Sequence, residues 1–216
     1  MATIKKNSSV SAFSRWLSKN YRTEWEMAFN TNPNRGKVLD QHEFLYMFDR
    51  YGENTDGCSK AVHLLKYIVV KRHQKGGYIP EIRNEYGTGN QLIDEVNCYK
   101  RFNDKPESDL LCPVFKYFTS KSDKVSATSE KMQHNVVIIA QKAVYVSDAW
   151  SCCKKAEMLN AEHGYNGESK YDRLEKLEAL SESQNWRDAM RNPGNSGVIF
   201  DYEKHCYKAV FIDYAL

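Results

Sequence analysis

Two short runs rich in strand-forming residues lie close together in this sequence. They are AVHLL (61–65) and YIVVK (67–71), and a small-residue turn, GCS (57–59), precedes them. Runs of this composition separated by so few residues indicate a tight β-hairpin. The second run ends in Lys71. The sequence therefore predicts a strand that directs one lysine toward the core.

A single amphipathic helix is expected next, over NQLIDEVNCYKRF (90–102). Asn90 is suited to cap its N-terminus, and the apolar residues of one face are Leu92, Val96, Tyr99 and Phe102. Glu95 falls on the same stripe, which aims a carboxylate toward the apolar side. Because a buried carboxylate needs a partner, an ion pair with Lys71 is expected. A glutamate at the edge of the stripe and a solvated lysine would account for the same residues.

Elements of both kinds follow. Further strands are expected over DLLCPVFKYF (109–118) and HNVVIIAQKAV (134–144), and a terminal hairpin over GVIFDY (197–202) and KAVFID (208–213). The polar, Ser- and Lys-rich segment between the first two is expected to be a mobile surface loop. Helical periodicity covers residues 9–29, 148–162 and 168–186. This order of elements predicts an α+β fold.

Composition excludes several classes of protein. The net charge of +3 comes from 31 basic and 28 acidic residues that are well mixed, so no dedicated nucleic-acid binding surface is expected. The six cysteines form no CxxC pair, which disfavours a zinc ribbon or a disulfide scaffold. No apolar run has the length of a signal peptide or of a membrane span. A cytoplasmic protein without a membrane partner is expected.

Two polar residues stand at the ends of the predicted terminal strands. Asn195 precedes GVIFDY, and Asp213 closes KAVFID. An amide and a carboxylate at adjacent strand ends could bind one divalent cation between hard oxygen atoms. A purely structural turn explains such a pair more often. Anion binding by YGTGNQ (86–91) at the start of the predicted helix is a weaker alternative, as is metal binding by Cys152, Cys153, His163, His205 or Cys206.

Taken in order, these pieces resemble a protein-kinase-like fold, and most of all the small kinase-like proteins of bacteriophages, including the amino-terminal kinase of T7-type phages. GCSKAV resembles a reduced nucleotide-binding loop, YIVVK the strand with the phosphate-contacting lysine, and NQLIDEVNCYKRF the helix whose glutamate pairs with it. NVVIIAQKA resembles the strand that leads into the hinge, RNPGNSG the end of the catalytic loop, and VFIDYAL the strand before the magnesium-binding motif.

The resemblance implies a bilobal fold, with a small antiparallel sheet lobe and a truncated helical lobe that ends in a β-hairpin. The implied division is an N-terminal helical extension over 1–39, the sheet lobe over 40–147 and the helical lobe over 148–216. It also implies ATP and Mg²⁺ as cofactors. The residues implied to bind the nucleotide are Gly57, Ser59, Lys71 and Glu95, and those implied to hold magnesium are Asn195 and Asp213.

Several residues depart from the kinase pattern. Met190 stands five residues before Asn195, where a kinase has its catalytic aspartate, and Asp188 lies nearby at a different spacing. Tyr214 and Ala215 replace the Phe and Gly of the magnesium motif, and no activation segment is expected after Leu216. We therefore expect a nucleotide-binding or degenerate kinase module that acts on or inhibits a host protein. An active minimal Ser/Thr kinase is the alternative, with Asp188 and Asp213 as its catalytic residues.

Overall fold

A computed structural model describes residues 2–3, 8–29, 53–56, 60–73, 91–118, 137–186, 190–191 and 194–214. These residues form two antiparallel β-sheets and a set of α-helices, which confirms the α+β class. The chain divides into two compact units. Unit 1 consists of Met1–Ile4, Leu17–Val96 and Val114–Lys142, and unit 2 of Lys5–Trp16, Asn97–Pro113 and Ala143–Leu216. The expected boundaries at residues 39 and 147 stay a prediction.

The N-terminal segment is helical but interrupted. Helix α1 spans Ser8–Asn20 and helix α2 spans Arg22–Phe29, so the expectation of one continuous helix is wrong at Tyr21. Asparagine and tyrosine are weak helix formers, and the break falls where Asn20 and Tyr21 meet. The amide of Tyr21 still donates to the carbonyl of Leu17 at 2.8 Å. The helical period read from the sequence therefore holds on both sides of the break.

Unit 1 contains a six-stranded antiparallel sheet. Its strands are β1 (Ala2–Thr3), β2 (Glu53–Asp56), β3 (Lys60–Leu64), β4 (Ile68–His73), β5 (Val114–Phe118) and β6 (Val137–Gln141), in the order β1-β5-β6-β4-β3-β2. The predicted hairpin is confirmed, because β3 pairs with β4 in a register that places Val62 opposite Lys71. Strand β4 also pairs with β6, where Lys71 lies opposite Ile138. Lys71 therefore lies on an interior strand of the sheet.

The turn of the β3–β4 hairpin is held by a side chain from α2. Both carboxylate oxygens of Glu24 accept hydrogen bonds from backbone amides of the turn. The donors are Lys66 at 3.1 Å, Tyr67 at 2.9 Å and Ile68 at 3.2 Å. Glu24 is buried, so the three amides satisfy a charge that would otherwise be costly to remove from water.

Helix α3 spans Gln91–Phe102, as the apolar stripe predicts. The strand predicted over residues 109–118 is only partly correct, since a 3₁₀ helix covers Pro106–Leu110 and β5 begins at Val114. Proline lacks an amide donor and suits the first turn of a helix, which favours the 3₁₀ turn over a strand here. The strand predicted over 134–144 is divided into β6 and a separate two-residue strand, β7 (Val144–Tyr145).

Unit 2 contains a three-stranded antiparallel sheet. The terminal hairpin is confirmed as β8 (Ser196–Asp201) and β9 (Cys206–Phe211), and β7 adds a third strand beside β8. Helix α4 spans Ala149–His163 and helix α5 spans Lys170–Ser183, close to the expected ranges. Asp148 and Ser169 cap their N-termini by accepting the amides of Ser151 and Asp172.

Buried side chains of α4 tie it to the hairpin of unit 2. Asn160 donates from Nδ2 to the carbonyl oxygen of Tyr207 at 2.9 Å, and its Oδ1 accepts the amide of Tyr207 at 2.7 Å.

Among the described residues, no helix is long and apolar enough to cross a membrane. The loop predicted over residues 119–133 lies outside the described residues, as does the proposed anion site apart from Gln91.

Candidate functional site

The first group of candidate residues is a buried ion pair in unit 1. Lys71 Nζ lies 2.6 Å from Glu95 Oε1, which confirms the predicted pair. The side chain of Glu95 is 1% exposed and that of Lys71 is 11% exposed. Leu92, Val96 and Tyr99 are buried on the same face of α3. A strand and the helix that follows it thus hold one ammonium against one carboxylate with little access to water.

The predicted nucleotide-binding loop is flanked by two paired strands. Strands β2 and β3 pair with Asp56 opposite Ala61. Gly57 and Ser59 lie in the segment between these strands, outside the described residues. Their contact with a nucleotide stays a prediction. Along the chain, this segment connects β2 with β3, and Lys71 lies on the next strand, β4.

The second group lies at one end of the β8–β9 hairpin in unit 2. Ser196 pairs with Phe211, so Asn195 just before β8 and Asp213 just after β9 belong to the same end. The amides of Ile212 and Asp213 both donate to the carbonyl oxygen of Asn195, at 2.9 and 3.4 Å. The expectation that the strand itself ends in Asp213 is wrong by two residues, because the regular pairing stops at Phe211. The predicted proximity of Asn195 and Asp213 is confirmed.

These two residues differ in how they meet solvent. Asn195 is buried at 7% exposure, whereas Asp213 is partly exposed. An amide oxygen and a carboxylate are hard ligands of the kind that magnesium takes from proteins. The donor chemistry at this end of the hairpin therefore fits a divalent cation, with further ligands to come from water or phosphate oxygens.

An aromatic cluster supports the end of β9. The buried ring of Trp186 packs edge-on against the ring of Phe211 and is tilted against that of Tyr214, with ring centroids 5.9 and 6.1 Å apart. The ring of Phe102 also meets the Trp186 ring edge-on, with centroids 6.4 Å apart. Sequence reasoning missed Trp186, although a lone tryptophan two residues before Asp188 was a visible signal. Asp188 itself lies outside the described residues, so its catalytic assignment stays a prediction.

The segment before β5 also contacts the end of β9. The amide of Cys112 donates to the carbonyl of Phe211 at 2.8 Å, and Leu111 forms a parallel bridge with Phe211. The hydroxyl of Tyr214 donates to the carbonyl oxygen of Cys112 at 3.0 Å. Residues on both sides of Asp213 are therefore bonded to fixed backbone.

A charge cluster that the sequence did not predict lies elsewhere in unit 2. The carboxylate of Asp109 forms salt bridges with Arg173, Lys208 and Lys204, with nitrogen–oxygen distances of 2.6, 2.7 and 2.9 Å. Lys208 Nζ also lies 2.7 Å from a carboxylate oxygen of Asp201. Burial acts to raise the pKa of Asp109, but attraction to Lys208 and Arg173 outweighs it and holds that pKa well below its usual range. The three cationic partners of Asp109 lie 64 to 99 residues from it in sequence, so no local pattern reveals them.

The cysteines considered as metal ligands are core residues. Cys152, Cys153 and Cys206 are buried, and burial raises the pKa of Cys153 to about 12. Burial also raises the pKa of the other two thiols. Within the described residues, these three thiols belong to no group of three or more His, Cys, Asp or Glu side chains that could hold a metal ion. His163 and His205 are exposed and stack or pack against aromatic rings.

No model of a known protein family matches the chain, and no curated protein matches it. Two centres stand out, the buried Lys71–Glu95 pair in unit 1 and the Asn195–Asp213 strand end in unit 2.

Proposed function

We propose that this protein is a kinase-like module that binds ATP with magnesium and has a degenerate catalytic centre. The observation that carries the proposal is the buried Lys71–Glu95 pair at 2.6 Å. In protein kinases a lysine on the third strand contacts the nucleotide phosphates, and a glutamate on the following helix pairs with it. The same order holds here, from β2 and β3 through Lys71 on β4 to Glu95 on α3.

Each candidate residue has a chemical role in this proposal. Lys71 contributes the positive charge that binds phosphate, and Glu95 orients its ammonium group and prevents it from swinging away. Gly57 and Ser59 contribute the loop that covers the phosphates. Asn195 and Asp213 would hold magnesium, which neutralises phosphate charge when bound. Burial strengthens the attraction within the pair, because the effective dielectric constant inside a protein is lower than in water.

One observation bears on whether the module transfers phosphate. Met190 occupies the position of the usual base, and a thioether cannot accept a hydroxyl proton. Asp188 is the acceptor in the alternative, an active minimal Ser/Thr kinase.

The proposed setting follows from the resemblance to phage kinase-like proteins. The module acts in the cytoplasm of a host cell and engages a host protein, which it either inhibits by binding or phosphorylates.

Calorimetric titration with ATP in the presence of Mg²⁺ tests the proposal directly. The wild type is expected to bind, and Asn195→Ala and Asp213→Ala are each expected to weaken Mg²⁺-dependent binding by about tenfold or more, as loss of about 1.4 kcal/mol produces. Asp172→Ala is the matched control, since Asp172 is an exposed carboxylate on α5. A wild type that shows no heat of binding and no thermal shift with Mg²⁺ and ATP would refute the proposed function.

Phosphate transfer to a mixture of host proteins separates the two forms of the proposal. The degenerate module is expected to give slow or no transfer. Robust transfer that Asp188→Asn abolishes would establish the active kinase, and robust transfer that persists in Asp188→Asn would require another base.

A further inference from the structure

Tyr214 has an added hydroxyl group that the structure uses. The resemblance to kinases implies a phenylalanine at this position, immediately after the metal-binding aspartate, and this chain has tyrosine. The side chain is 1% exposed, and burying a hydroxyl costs free energy unless it is hydrogen-bonded. Here the hydroxyl donates to the carbonyl oxygen of Cys112 at 3.0 Å. The added group therefore has a specific backbone partner.

That partner is itself tightly held. The amide of Cys112 donates to the carbonyl of Phe211 at 2.8 Å. These two hydrogen bonds and the chain from Phe211 to Tyr214 form a closed circuit. It runs from Cys112 to Phe211, the last residue of β9, along the chain through Asp213 to Tyr214, and back to Cys112 through the Tyr214 hydroxyl. The ring of Trp186 packs against Tyr214 from another side at 6.1 Å.

Asp213 lies inside this circuit. The amide of Asp213 donates to the carbonyl oxygen of Asn195. The next residue, Tyr214, is held by the hydrogen bond from its own hydroxyl to Cys112. A ligand side chain must be held within about 0.5 Å of its productive position to bind a metal well. The backbone on both sides of the carboxylate is restrained, so the direction in which Asp213 projects is restrained too.

We propose that Tyr214 is a positioning residue for Asp213, and that its hydroxyl bond to Cys112 keeps the Asp213 carboxylate oriented for magnesium. The inference rests on the proposed function of this strand end as the magnesium site. It adds that metal affinity at this site depends on one buried hydroxyl group whose hydrogen-bond partner is a backbone carbonyl oxygen.

Tyr214→Phe removes that hydroxyl and keeps the ring. Binding of ATP is measured for the wild type and the variant with Mg²⁺ over a range of concentrations and again with EDTA. Tyr214→Phe is expected to raise the Mg²⁺ concentration needed for half-maximal ATP binding about threefold to tenfold, which is the effect of losing one hydrogen bond. Binding in EDTA is expected to be unchanged, and excess Mg²⁺ is expected to restore wild-type ATP binding.

Tyr207→Phe is the matched control on the same hairpin, because the Tyr207 hydroxyl makes no hydrogen bond within the described part of the chain. Urea midpoints for both variants establish that each is folded. An unchanged Mg²⁺ requirement in Tyr214→Phe, with wild-type binding intact, overturns the role of Tyr214 alone. Equal weakening with Mg²⁺ and with EDTA overturns it as well, since that is the result of general loosening. Absence of Mg²⁺-dependent binding in the wild type overturns both this inference and the proposed function.

Discussion

The buried pair in unit 1 predicts a specific pattern of stability changes. Lys71→Met or Glu95→Leu leaves the other charge buried without its partner. At 2.6 Å, two unit charges attract by about 6 kcal/mol at an effective dielectric constant of ~20. Desolvation costs several kcal/mol for each ion, so the intact pair contributes little net stability. Each single variant is nevertheless expected to lose about 3 to 5 kcal/mol in free energy of unfolding.

The double variant Lys71→Met/Glu95→Leu is expected to behave differently. Both charges are gone, and two apolar side chains replace them beside Leu92 and Val96, which are buried. Replacement of a buried ion pair by apolar residues is often neutral or stabilising. We therefore expect the double variant to be within about 1 kcal/mol of the wild type. Urea unfolding followed by circular dichroism measures all four proteins, and the double-mutant cycle isolates the coupling.

Arg22 and Glu26 form the matched control pair. They lie 3.0 Å apart on α2, with side chains 79% and 44% exposed. An exposed pair four residues apart on a helix contributes about 0.3 to 0.5 kcal/mol, so Glu26→Ala is expected to have a small effect that salt reduces further. Single variants of Lys71 and Glu95 that each cost less than about 1 kcal/mol, with additive effects, would refute the interpretation of a coupled buried pair.

Two further predictions concern unit 2. Asn160→Ala is expected to destabilise the protein by about 2 to 4 kcal/mol, because it leaves the amide and carbonyl of Tyr207 without their partners. Asn160→Asp keeps the acceptor and is expected to cost less. Equal urea midpoints for the wild type and Asn160→Ala would contradict the prediction. Attraction to Lys208 outweighs burial and lowers the pKa values of Asp109 and Asp201 below that of an unfolded aspartate, near 4. Stability from these carboxylates is therefore present at neutral pH and lost as pH falls below about 4. The stability gap between wild type and Lys208→Met is expected to narrow across that range, and a gap that stays constant from pH 7 to pH 3 would show that the two carboxylates are not coupled to Lys208.

Local patterns in the sequence predicted the elements that the chain forms with its near neighbours. The β3–β4 hairpin, helix α3 with Glu95 on its apolar face and the β8–β9 hairpin each depend on residues within about fifteen positions of one another. Side-chain period and turn length determine such elements. The Lys71–Glu95 pair was predictable for a related reason, since a carboxylate on an apolar stripe requires a cation.

Elements defined by distant contacts were not predictable in this way. Strand β7 has only two residues, both exposed, and it is a strand only because β8 lies beside it. The partners of Asp109 come from α5 and from β9 with the turn before it, and the hydroxyl of Tyr214 reaches Cys112 across 102 residues. No periodic signal in one segment specifies a partner in another. Asp188, Gly57 and Ser59 lie outside the described residues, and their roles stay predictions.

The contact between Glu24 and the β3–β4 turn has a consequence for the order in which the protein folds. An isolated hairpin can close within microseconds. Here the amides of the turn bond a carboxylate that lies 42 to 44 residues earlier in the chain, and closing so long a loop carries a larger entropic cost than closing the hairpin itself. We therefore expect the strand that carries Lys71 to reach its final geometry only after α2 has docked. The protection of the amide protons of Lys66, Tyr67 and Ile68 against exchange with deuterium should then follow the free energy of detaching that helix, rather than the free energy of opening the hairpin.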